Sequence, residues 1–146
     1  MAIDRQGTGL VIVRICLGVF FAYSALTKLR WLMDGSILRS QLTLWMHNVS
    51  PGSISESYLQ RFAIPGAAIL ARLVPVGEFV CGLALVLGFW TPIFALLAFL
   101  MVLNYHVASG AIFHVSFLAS PSGLPVLGST LGLAMGGVRL RWSART

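Results

Sequence analysis

Four ionisable side chains stand where an apolar chain seldom leaves them. Arg14, Arg72 and Glu78 fall inside long apolar runs, and Lys28 closes one. A charge placed in hydrocarbon costs roughly 3 kcal/mol or more, so such residues face protein or water and mark ligand, ion or proton paths. A carboxyl group in that setting can take up and release a proton, while neighbouring cations attract an anion or orient a ligand carbonyl. Glu78 is therefore the candidate catalytic group. Lys28, Arg72, His106 and Arg14 are the candidate binding groups for an anion or a ligand carbonyl. The plainer reading is an internal ion pair between Glu78 and an arginine, fixing helix register rather than doing chemistry. Spacing alone leaves both open.

The setting of those charges is a membrane. The 146 residues are 58% hydrophobic and only 10% charged, against about 25% charged in soluble domains. A soluble fold this small cannot hide so much apolar surface. The net charge of +6 comes from dispersed Lys and Arg, which suits membrane topology and anionic headgroups and gives no case for nucleic acid. Cys16 and Cys81 sit singly in apolar runs with no Cys-x-x-Cys pair, so neither a thiol relay nor an iron–sulfur site has support. His106 and His114 are eight residues apart without an acidic or cysteine partner at ligand spacing, and no haem or metal is predicted. His47 reads as a surface residue.

Four apolar stretches, 10–29, 65–90, 91–108 and 121–138, approach the roughly 20 residues that a span requires. They predict an all-α, integral membrane four-helix bundle, a single domain over 1–146 with a long first extramembrane loop. Pro65 and the pair Thr91-Pro92 mark helix starts. The short junction at 88–92 makes spans two and three an antiparallel hairpin. The loop 30–64 carries an interfacial helix over 37–47, with Leu38, Leu42 and Trp45 at helical spacing. Four spans put both termini on one side. Arg5, Arg139, Arg141 and Arg145 on that side are nearly matched in number by Lys28, Arg30, Arg39 and Arg61 on the other. The cytoplasm is expected for the termini because the second set lies partly in a long loop or serves a site. Trp31, Trp45, Trp90 and Trp142 fit interfacial belts or loop anchors.

Depth follows from a rise of about 1.5 Å per residue. Lys28 lies about 27 Å from the start of span one, and Arg72 about as far from the end of span two. The two spans are antiparallel, so both cations reach the loop side. Glu78 sits about 9 Å deeper than Arg72 and roughly 120° around the helix, with Pro75 between them able to kink it. Span three brings Asn104, Tyr105 and His106 to the same side. The expected result is a polar pocket walled by Lys28, Arg72, Glu78 and His106. Arg14, Gly18, Phe21, Ala25 and Lys28 form one stripe, and Glu78, Gly82 and Leu85 another. Gly18 and Gly82 are candidate helix-packing positions. So are Gly128, Gly132 and Gly136, whose spacing of four clears one helix face for a contact within the chain or with another subunit.

Two segments resemble a known family. The first runs from Arg14-Ile15-Cys16-Leu17-Gly18 through Ser24-Ala25-Leu26-Thr27-Lys28-Leu29. It is similar to the opening of DoxX and DoxD membrane proteins. The second, from Glu78 through Gly82 and Leu85 to Gly88, resembles their most recognisable stretch. The long first loop and the run Leu103 to Gly110 look closer to DoxD, although Ser24 stands where the family more often has glycine. The resemblance covers roughly 9–138. It implies a four-span protein of the bacterial or archaeal cytoplasmic membrane. DoxD is the small subunit of thiosulfate:quinone oxidoreductase, so the implied chemistry is oxidation of thiosulfate with electrons passed to quinone, alongside a DoxA-like partner. The competing implication is a non-catalytic structural or assembly subunit of a larger membrane complex.

Overall fold

The computed structural model describes residues 5–136. Val138, the tail arginines Arg139, Arg141 and Arg145, and Trp142 lie outside the described residues. Within them the chain is all-α, and no strand is present. The helices are α1 (Arg5–Thr27), α2 (Leu29–Met33), α3 (Ser36–Asn48), α4 (Ile54–Tyr58), α5 (Ala67–Leu87), α6 (Thr91–Ala108) and α7 (Leu124–Gly136). A π-helical turn at Leu59–Ala63 leads towards α5, and two 3-10 turns, Ala111–Phe113 and Val115–Ala119, join α6 to α7.

Three helices are long and apolar enough to cross a membrane: Gly7–Thr27 within α1, Ala67–Leu87 and Thr91–Ala108. These match the first three predicted spans closely. The protein is a multi-pass membrane protein. The fourth predicted span, 121–138, reaches past the described residues. α7 has 13 described residues, about 20 Å of helix, against a hydrocarbon core of about 30 Å.

Helices α1 and α5 pack most extensively, and their contact is built on glycine. A Cβ on Gly82 would lie 2.6 Å from the Ala22 backbone nitrogen and 2.8 Å from the Gly18 carbonyl oxygen. A Cβ on Gly18 would lie 2.8 Å from the Gly82 oxygen and from the Val86 nitrogen. Neither position has room for a side chain, so the two backbones touch. Above and below this point Leu17, Phe21, Cys81 and Leu85 join Ala95, Ala98, Val126 and Leu133 in one core.

The turn from α5 to α6 is as tight as its sequence implied. Gly88 takes a left-handed conformation, φ 73°. The Phe89 amide donates to the Ala84 carbonyl and the Gly88 amide to Leu85, the paired pattern that ends a helix on glycine. Trp90 also has positive φ, 40°, and Pro92 sits in the first turn of α6.

The excursion between α1 and α5 is a folded layer rather than a loose loop. α3 covers the predicted interfacial helix and buries Leu38 and Leu42. They form a second core with Leu59, Ala63, Ala67, Ala71 and Ala108. Asp34 precedes α3 and accepts from the Ser36 amide at 2.9 Å. The Ser36 side chain and amide hold that carboxyl below its ordinary pKa. Ser53 caps α4 by accepting from the Glu56 amide.

Candidate functional site

The end of α1, the first half of α5 and the end of α6 enclose a cavity of about 350 Å³, roofed by residues of α3 and α4. This falls at the small end of the roughly 300–1,000 Å³ typical of ligand clefts. Its walls are mainly aromatic and aliphatic: Phe21, Trp31, Trp45, Tyr105, Val74 and Met101 among them. Polar groups line it as well, and three sets of them are tied together by hydrogen bonds.

The first set is an ion pair between α1 and α5. The Lys28 ammonium lies 2.5 and 2.7 Å from the two Glu78 carboxylate oxygens. It also donates to the Ser24 hydroxyl at 2.7 Å, one turn back on α1. An ammonium has three N–H donors, and these three acceptors use them all. The Trp31 ring lies 5.8 Å from the Lys28 nitrogen, within reach for a cation–π contact. Both members are largely buried, with side-chain exposures of 18% for Lys28 and 11% for Glu78.

The second set is Tyr58 and Asn104. The Tyr58 hydroxyl donates to Asn104 Oδ1 at 2.5 Å, joining the α4 layer to α6. The π-helical turn begins immediately after Tyr58. Such a turn adds one residue to the winding and is frequent where a helix serves a site.

The third set is His106. It is 3% exposed, and its Nε2 lies 2.9 Å from the Ser122 carbonyl oxygen. Its ring makes edge-to-face contacts with Tyr105 and Phe117, at centroid distances of 5.3 and 4.9 Å. His114 is exposed and takes no part in this cluster.

Two of the four predicted wall residues for the pocket meet directly, and a third shares the cavity with them. Lys28 and Glu78 pair, and His106 lines the same space. Arg72 does not join them. It is exposed on the outside of α5 while Glu78 is buried. The cause is the roughly 120° offset of six helical residues. Pro75 lies within α5 without interrupting it, and the offset persists. Arg14 is buried, at 2% exposure, but does not line the cavity. It is 14 residues from Lys28 along α1, about 21 Å down the axis. Gly128 and Gly132 have no atom within 4 Å of an added Cβ, and Gly136 meets only Leu10 Cδ1 at 3.7 Å. The glycine row therefore makes no close backbone contact inside the described chain. Trp31 and Trp45 line the cavity rather than serving only as interfacial anchors.

Comparison with known proteins adds one finding. The DoxX family profile matches residues 9–115. The chain belongs to the DoxX family. Neither the curated proteins nor the solved structures compared with it offer a match. The matched stretch of this DoxX protein holds Lys28, Glu78 and His106, and only Ser122 among the cavity-lining residues falls beyond it.

Polar residues that the sequence pattern did not mark as site members also line the DoxX cavity. Ser24 sits four residues before Lys28, a spacing that brings helical side chains together. Tyr58 and Gln41 come from the layer between α1 and α5. No local sequence signal announces them, because their position depends on how that layer folds back over the spans.

Proposed function

We propose that this protein is a quinone-interacting subunit of a membrane oxidoreductase. The observation that carries the reading is a small, aromatic-walled cavity bearing the Lys28–Glu78 pair on one wall. Flat apolar walls accept a ring, and a few polar groups fix its orientation. A planar ring with two oxygens fits this chemistry. Reduction of such a ring takes two electrons and two protons. Glu78 and the Lys28 ammonium are the protonatable groups beside it, and the electron donor is a separate component.

Within this reading the chain is DoxD-like, the partner is DoxA-like, and the electron source is thiosulfate, two molecules of which join to give tetrathionate and two electrons. Both termini lie on the cytoplasmic side of a bacterial or archaeal inner membrane. The long 30–64 excursion and the run Leu103 to Gly110 support the DoxD-like assignment. The arginines near the termini, set against cations that lie partly in a long loop, support the orientation.

Quinone titration of the purified protein tests the reading. Trp31 and Trp45 line the cavity, so a bound quinone quenches their fluorescence. Wild type should show saturable quenching. Glu78→Gln should leave that quenching nearly unchanged, because an ionised carboxylate has no hydrogen to offer a quinone carbonyl. It should slow quinone reduction by the assembled complex, because the amide takes up no proton. Full turnover in an assembled Glu78→Gln variant would remove Glu78 from the mechanism.

One observation favours a second reading, a structural or assembly subunit. All three Lys28 donors are already satisfied within the protein, as expected of a pair that sets the register of α1 against α5. The exposed glycine row on α7 then serves contact with a larger complex. A chain that purifies only with stoichiometric partners and binds no quinone would support this alternative.

A further inference from the structure

Helix α3 turns one stripe toward the cavity. Leu38, Gln41, Leu42 and Trp45 line it, at the i, i+3, i+4 and i+7 positions that share a helix face. Leu38 and Leu42 are buried in the second core. The Trp45 ring stands edge-on to Tyr105 at 5.1 Å, which sets this face over the end of α6. Gln41 is the one polar side chain on the stripe, one turn back from Trp45. It is half-buried, and among the described residues its amide has no hydrogen-bond partner. Its nitrogen and oxygen nonetheless keep accessible surface, unlike the enclosed Nδ1 of His106. The side chain is long and turns about several single bonds, so the amide can meet a guest without any shift of the helix. A half-buried amide without a partner carries a desolvation cost that a ligand would relieve.

The ion pair leaves a task for that amide. The Lys28 ammonium spends its N–H groups on Glu78 and Ser24, and an ionised carboxylate has none. The pair therefore has no hydrogen to give a carbonyl oxygen. The Gln41 amide has two. Asn104 and Tyr105 are exposed residues. Trp31 and Trp45 each offer a single indole N–H on a rigid ring already packed, beside Lys28 and against Tyr105.

We propose that Gln41 Nε2 donates a hydrogen bond to a carbonyl oxygen of the ring held in the cavity. The inference rests on the quinone reading above and adds the residue that recognises the oxidised ring. Gln41 acts here as a binding and specificity residue, and no electron or proton transfer is required of it.

The test uses the full chain in nanodiscs in mildly alkaline buffer, with duroquinone and durene as probes. Both are tetramethyl rings of similar outline, and only duroquinone carries carbonyl oxygens. Tryptophan fluorescence quenching reads duroquinone binding. Displacement of duroquinone reads durene binding. Wild type should hold duroquinone more tightly than durene. Gln41→Met keeps the length of the side chain and removes the N–H groups. It should weaken duroquinone roughly tenfold, the worth of one hydrogen bond, and leave durene unchanged. Gln41→Glu keeps shape and polarity but, once ionised, offers no hydrogen. It should weaken duroquinone in the same way, so the two variants together guard against misfolding of either one. Unchanged duroquinone affinity in both variants, or an equal loss of both probes, would overturn the assignment while leaving quinone binding intact. Absence of saturable duroquinone binding by wild type would overturn it together with the quinone reading.

Discussion

The same two helices, α1 and α5, meet in opposite ways at two levels. At Gly18 and Gly82 their backbones touch, and no side chain fits between them. Ten residues on, at Lys28 just past the end of α1, the two are bridged by an ammonium and a carboxylate beside the cavity. The first level is made by the absence of side chains, the second by two long ones.

Breaking the second level should cost most. Lys28→Met leaves the Glu78 carboxylate without its cation in a poorly solvated place, and about 3–5 kcal/mol of stability should be lost. Lys28→Met combined with Glu78→Leu should recover most of that loss, because two apolar groups replace a pair that had to be desolvated. Detergent thermal denaturation of both variants checks this. A double variant as unstable as the single one would show that the pair contributes more than charge cancellation. Disturbing the first level should cost less. Gly82→Ala places a methyl group 2.6 Å from a backbone nitrogen that cannot turn aside. A loss of about 1–3 kcal/mol is expected from such overpacking, read in the same melts.

The smallest effect sharpens the contrast by using glycines that touch nothing. Gly128→Ala and Gly132→Ala add a methyl group into open space and improve helix propensity by about 1 kcal/mol each. The isolated chain should become slightly more stable. Loss of stability or assembly only when a partner is present would show that this row is a contact surface for another subunit.

The spans were legible because lipid imposes a long, uninterrupted apolar length that few other structures need. α6 begins at Thr91 and ends at Ala108, the bounds implied by Thr91-Pro92 and by the polar residues that follow. Helical rise brought Lys28 and Glu78 to the same side of the bundle but set Glu78 about 9 Å deeper than Arg72. The expected ion-pair partner was an arginine, and the lysine side chain makes the pair instead. Arg72 did not join them, because equal depth says nothing about facing, and its angular offset from Glu78 decided the matter. Ser24 at i−4 from Lys28 could have been found by the same spacing logic. Tyr58 and Gln41 could not, since the fold of the 30–64 excursion depends on tertiary packing around Leu38, Leu42 and Leu59. The glycine row on α7 looked like a packing surface because its spacing was right. Spacing identifies a bare strip of helix but not what lies across from it.

The excursion is also fastened at its far edge. The buried Ser55 hydroxyl donates to the Val107 carbonyl at 2.6 Å, close in sequence to the Tyr58–Asn104 bond on the same two helices. Two rivets, both landing on the last turns of α6, make the roof travel with that helix as one piece.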